Sequence, residues 1–160
     1  MRAAGLFSAN EELVEVPTSH LRFLAADHLL ASALADVSDY DSRRSHLLRA
    51  RDLYRRFLQT CERLGLLHEG ESRLLATLDA EEEDSPLGPA EDRELRLELL
   101  RREKEAGQRL RTLRAFLARV GPEDGDTEEE TREMEIVALQ SRCRGALREL
   151  RLIDEVSRHS

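Results

Sequence analysis

Tryptophan is missing from this 160-residue sequence, aromatics reach only 4%, and lysine occurs once, at Lys104. So few aromatic and β-branched residues beside abundant Leu, Ala, Arg and Glu disfavour a sheet and favour packed helices. No apolar run approaches the roughly 18 residues that a membrane span needs. The opening MRAAGLFSANEEL lacks the continuous apolar core of a signal peptide. There is no phosphate-cradling Gly-rich loop and no GxSxG elbow. The five histidines are scattered, and none pairs with a Cys, Asp or Glu in a metal-binding pattern. No catalytic residue, metal site or cofactor is therefore expected, and the chain does not read as an enzyme. A net charge of -8 argues against general nucleic-acid binding, which a basic surface usually drives. Cys61 and Cys143 both fall within apolar periodic stripes, as buried free thiols of a reducing compartment would. A soluble, cytoplasmic protein is the expectation.

What is present is a series of amphipathic segments. Pro17 suits the first turn of a helix through residues 18–36, with Thr18 or Ser19 as its cap. Leu21, Leu24, Ala25, His28, Ala31, Ser32 and Ala35 form one stripe of that helix. Phe23, Leu29, Leu30 and Leu34 widen its apolar surface, which predicts packing on more than one side. DYDS, residues 39–42, reads as a turn and cap. A second helix comes next, with Leu47, Ala50, Tyr54, Phe57, Cys61 and Leu64 at steps of three and four, and Gly65 is placed to end it. Residues 71–80 suggest a short helix. EEEDSPLGPAED, residues 81–92, combines an acidic run with two prolines and a glycine, and reads as a flexible acidic loop. A long helix runs from near Ala90 to about Val120 on Leu99, Ala106, Leu110, Leu113, Leu117 and Val120. After the acidic turn GPEDGDTEEE, a last helix buries Ile136, Leu139, Cys143, Ala146, Leu150 and Ile153. The fold class is all-α, an antiparallel helical bundle occupying residues 1–160 as one domain.

The stretch from Arg93 to Arg114 carries eight basic residues against four acidic ones in an otherwise acidic chain. At about 100° per residue, the stripe through Leu99, Ala106, Leu110 and Leu113 points inward. Arg93 then projects away from the core and Arg96 lies on the flank, one turn apart. Leu97 and Leu100 fall between them on the outer side. Two readings stay open on pattern alone: arginines framing exposed leucines make a protein-binding surface, or the leucines touch another helix and the arginines are solvated charge.

Four segments resemble, in order, the motifs of a known family: LFSANEELVEVPTSHLRFL, LLRARDLYRRFLQTCERLGLL, RELRLELLRREKEAGQRL and ETREMEIVALQSRCRGALRELRLIDEV. The family is that of the TOR-signalling, type 2A phosphatase-associated proteins, called alpha-four in animals, and the likeness spans about residues 5–157. It implies a non-catalytic helical domain akin to tetratricopeptide and 14-3-3 folds. It also implies binding of the catalytic subunit of type 2A-like serine/threonine phosphatases, held in a latent form and linked to TOR signalling. The family's R-x-x-K contact motif aligns with Arg93 and Arg96, where Arg replaces Lys and keeps the charge with a different geometry. Arg101 and Arg102 extend the basic region, with Leu97 and Leu100 as its apolar part. The aromatic pair of the family's REYYLL motif is Met134 and Glu135 here. Relatives carry helices upstream of the LFS motif and a C-terminal tail, so the chain reads as a shortened member. The rival expectation is a helical scaffold that self-associates through the helix at residues 18–36.

Overall fold

The computed structural model describes residues 12–36, 42–79, 88–121 and 125–158. Six α-helices appear among them: α1 (Thr18–Leu21), α2 (Ala26–Ala35), α3 (Arg43–Arg63), α4 (Glu69–Asp79), α5 (Pro89–Val120) and α6 (Glu128–Arg158). Short 3₁₀ turns precede α1, join α1 to α2 and introduce α6. The described residues hold no strand. The fold is all-α, an antiparallel bundle of the tetratricopeptide-like kind.

Helix boundaries follow local chemistry. α3 ends in a Schellman turn: Gly65 adopts φ 76°, the Leu66 N–H reaches the Cys61 carbonyl at 2.9 Å, and the Gly65 N–H reaches that of Glu62 at 3.0 Å. Only glycine takes that φ without a Cβ penalty. α4 opens with a capping interaction in which the Glu71 carboxylate accepts the His68 N–H at 2.8 Å, so the helix starts two residues before the predicted 71–80. α5 begins with Gly88 as N-cap and Pro89 in its first turn, where Glu91 and Asp92 suit the positive end of the helix dipole. Residues 89–92 are thus helical rather than part of an acidic loop, because proline loses nothing at a position whose N–H has no helical acceptor. The rest of that predicted loop, 81–87, lies outside the described residues, as do residues 39–41 of the predicted turn. Ser42 does stand at the N-cap position of α3.

The predicted helix 18–36 is split. Residues Arg22–Ala25 form a 3₁₀ turn between α1 and α2, which shifts the register of α2 relative to α1. Leu21, Leu24, Ala25 and Ala31 are buried, as their stripe requires, but Phe23, Leu29 and Leu30 are exposed. The second side of this helix therefore has no cover among the described residues. Thr18 does not cap its helix. Its hydroxyl instead donates to Glu128 of α6 at 2.7 Å.

α6 is the central element, packed against α1, α3, α4 and α5, while α2 packs on α3. Tyr54, Phe57, Leu58 and Cys61 of α3 meet Cys143, Ala146, Leu147 and Leu150 of α6 in the main core, and Leu21, Leu24 and Leu66 close it. Full burial of a large apolar side chain such as Phe57 or Leu58 stabilises the fold by about 1.5–3 kcal/mol. Cys61 and Cys143 are free and buried, as their stripes predict. Their hydrogen bond, followed by burial, pushes the Cys143 thiol far above its ordinary range, so it stays protonated and inert. His28 sits against the Tyr54 and Phe57 rings, with centroids 5.6 and 5.2 Å away.

The N-terminal segment is stitched to the start of α6. Arg132 donates to the carbonyls of Val16 and Leu13, each at 2.7 Å. Glu135 receives the Arg22 guanidinium at 3.1 Å. Glu135 thus supplies the carboxylate of an ion pair between the N-terminal segment and α6.

Candidate functional site: the outer face of helix α5

α5 is the edge helix of the bundle. Leu95, Ala106, Leu110 and Leu113 are buried on one side; α6 is the main helix packed against α5, and Gly70 of α4 lies against Leu95. Antiparallel ion pairs hold the two together, Asp92 with Arg151 near one end and Arg109 with Glu133 towards the other. An α-helix with a single covered side presents the rest of its circumference to solvent.

That open circumference carries the predicted residues. Arg93 and Arg101 are exposed and form no ion pair among the described residues. Leu97 and Leu100 are 58% and 59% exposed, so neither is packed into another helix, and both belong to an open apolar surface. Arg96 is held by an i−4 pair with Asp92 at 2.8 Å. The same Asp92 takes both its oxygens to the Arg151 guanidinium, at 3.1 and 3.0 Å. Burial would raise the Asp92 pKa, but the hydrogen bonds and charges of Arg151 and Arg96 outweigh it and hold the carboxyl below its usual value. One carboxylate therefore anchors two guanidiniums.

Arg102 stands apart from this group. It is half-buried and bonded to Glu98 at 2.8 Å, and at about 100° per residue it points about 180° away from Arg93, whereas Arg101 lies within about 80° of Arg93. The structure thus brings together Arg93, Arg96, Leu97, Leu100 and Arg101, and sends Arg102 to another flank.

Beside Arg96 and Leu100 a groove of about 380 Å³ opens between α5 and α6, floored in part by Leu74 of α4. Its α6 wall carries Arg148, Leu152 and Glu155. Sequence reading passed over these residues because the α6 seam of Leu139, Cys143, Leu150 and Ile153 accounts for that helix's packing. A signal was there: Leu152 falls off the seam, beside Arg151, and is 54% exposed. Beneath the groove, Arg144 and Glu71 form a buried pair at 3.5 Å, and Arg144 also faces Glu103 at 3.6 Å. Among the described residues no three His, Cys, Asp or Glu side chains could share a metal ion, and no helix is long and apolar enough to cross a membrane. The chemistry on offer is recognition: planar cations that pair with carboxylates, set beside exposed leucines.

The sequence profile of the TAP42-like family matches residues 1–156. The chain belongs to the TAP42-like family. A solved structure described as that of the Tap42 alpha4 subunit is similar to it, with a TM-score of 0.68 at 25% identity, over 92% of this chain and 71% of that one. No curated protein matches the chain. In this TAP42-like chain the first and fourth motifs are physically joined, since Arg132 of the fourth clasps the carbonyls of Leu13 and Val16 in the first.

Proposed function

We propose that this TAP42-like chain is a non-catalytic, cytoplasmic adaptor that binds the catalytic subunit of type 2A-like serine/threonine phosphatases. In this role it stabilises a latent form of the subunit and links it to TOR signalling. The observation that carries the reading is the open face of α5, where Arg93 and Arg96 flank the exposed Leu97 and Leu100 on a helix whose other side is packed. Family membership supports the choice of partner. The guanidiniums pair with acidic side chains of the phosphatase, while the leucines cover apolar surface. Arg101 adds charge at the outer edge, and Arg102, tied to Glu98, contributes less.

The test is capture of purified phosphatase catalytic subunit by the full chain and by an Arg93→Glu, Arg96→Glu variant. Truncating one partner of a desolvated charge pair costs about 2–5 kcal/mol, so the double reversal abolishes detectable capture. Arg96→Glu also faces Asp92, so matched helicity and melting temperature are required. Arg93→Glu alone, at a position with no ion pair among the described residues, serves as the gentler variant. Undiminished capture by the double variant moves the site elsewhere.

A second reading rests on a different surface. Phe23, Leu29 and Leu30 are exposed on the segment from α1 to α2, and in this reading a helical scaffold pairs two copies there. A dimer in sedimentation that is insensitive to Arg93 and Arg96 but lost in Leu29→Ser favours it.

A further inference from the structure

The groove between α5 and α6 continues the α5 face rather than ending it. Arg96 and Leu100 belong to both, and the far wall repeats the same chemistry on α6 with Arg148 and Leu152. Leu100 and Leu152 stand exposed on facing walls, at 59% and 54%. Between them lie the buried Leu74 and Leu147, and Arg144, which also lines the groove, pairs with Glu71 and so links α6 to α4. Its volume of about 380 Å³ falls in the size class, about 300–1,000 Å³, of sites that take a few anchoring groups.

Positive charge is in excess on the rim. Arg96 and Arg151 share the single carboxylate of Asp92. Arg148 forms no ion pair among the described residues and is exposed. Among the described residues Glu155 is the one acidic residue that lines the groove. In a chain of net charge -8 the rim thus keeps an excess of positive charge, with Arg96, Arg148 and Arg151 set against Asp92 and Glu155. Such a rim selects a segment whose apolar side is bordered by carboxylates, the helix-in-groove mode of recognition.

We infer that the α5–α6 groove receives an acidic amphipathic segment of the phosphatase subunit, with apolar anchors seated between Leu100 and Leu152 and carboxylates on Arg96 and Arg148. The inference rests on the phosphatase reading above and adds to it a second wall, supplied by α6. Arg148 and Leu152 are then binding residues in their own right. Because both side chains are exposed, replacing them leaves the core untouched.

The experiment measures affinity of the full chain for purified phosphatase catalytic subunit by biolayer interferometry, with circular dichroism confirming equal helicity. Arg148→Glu and Leu152→Ser each weaken binding about tenfold or more, while Leu30→Ser, on α2 and outside the groove, leaves it unchanged. If Arg93→Glu weakens binding but Arg148→Glu and Leu152→Ser do not, the groove is no part of the interface and the inference falls, while the α5 site stands. If the unaltered chain fails to bind, the phosphatase reading falls and this one with it. If Leu152→Ser dissociates a dimer in sedimentation without changing phosphatase affinity, the groove is an interface between copies of the chain, which likewise overturns the inference.

Discussion

Arg144→Met strips a buried carboxylate of its cation directly beneath the α5–α6 groove. Glu71 and Arg144 are 1% and 4% exposed and lie 3.5 Å apart. Glu71 keeps one compensating bond, from the His68 N–H at 2.8 Å, and Arg144 has a second, longer contact to Glu103 at 3.6 Å. Removing one partner of a buried pair costs about 3–5 kcal/mol, since the charge left behind is neither solvated nor neutralised. The retained His68 bond places Arg144→Met near the low end, about 3 kcal/mol. For a chain of this length about 1 kcal/mol corresponds to roughly 3 °C of melting temperature, so the variant melts about 9 °C lower. Glu71→Gln preserves the capping oxygen and leaves Arg144 its Glu103 contact, so it costs less, about 1–2 kcal/mol. The decisive arm is the double variant. With both charges gone no ion is stranded, and Glu71→Gln combined with Arg144→Met melts higher than Arg144→Met alone by several degrees. Thermal and urea melts of the four proteins complete the cycle. Additive losses, or an Arg144→Met cost below about 1 kcal/mol, refute the claim that this pair is coupled.

Two more outcomes come from local chemistry. Burial, then the charge of Arg142, lowers the His28 pKa to about 4 from 6.5; the unfolded chain therefore takes up a proton that the folded chain refuses, and stability present above pH 6.5 declines as pH falls towards 4. The full shift would be worth about 3 kcal/mol, and solvent screening of this half-buried ring reduces it to about 1.5 kcal/mol; urea melts at pH 4.5 and 7.5 read the loss, and His28→Gln must show a shallower pH slope. Arg132→Ala deletes the donors to Leu13 and Val16, so amide exchange at residues 13–21 accelerates by at least about tenfold while α3 keeps its protection; uniform protection throughout would show that the clasp is dispensable.

Much of the bundle is legible in spacing alone. The steps of three and four through Ala50, Tyr54, Phe57 and Cys61 name residues that are all buried, and Gly65 marks the end of α3 because its backbone φ acts within a single turn. The same periodicity turns Arg93, Leu97 and Leu100 outward. It could not foresee the 3₁₀ turn at Arg22–Ala25, where Arg22 is tied to Glu135 across 113 residues of chain. It also overextended the acidic loop to 92, because composition weighs a stretch as a whole while Gly88 and Pro89 act at one bond.

Helical periodicity is a property of neighbours within a few residues, and it decides which side of each helix turns away from water. Which helix covers that side, and which stretch of surface is left uncovered, depends on contacts between segments far apart in sequence. Arg151 finds Asp92 at a separation of 59 residues and Arg144 finds Glu71 at 73. No local pattern encodes either pairing. The chain's own order of residues thus settled an all-α bundle and an outward basic face on α5. Only the packing of α6 against α4 and α5 made a groove, gave Arg96 and Arg151 one shared carboxylate, and put Arg148 and Leu152 on the wall opposite Leu100.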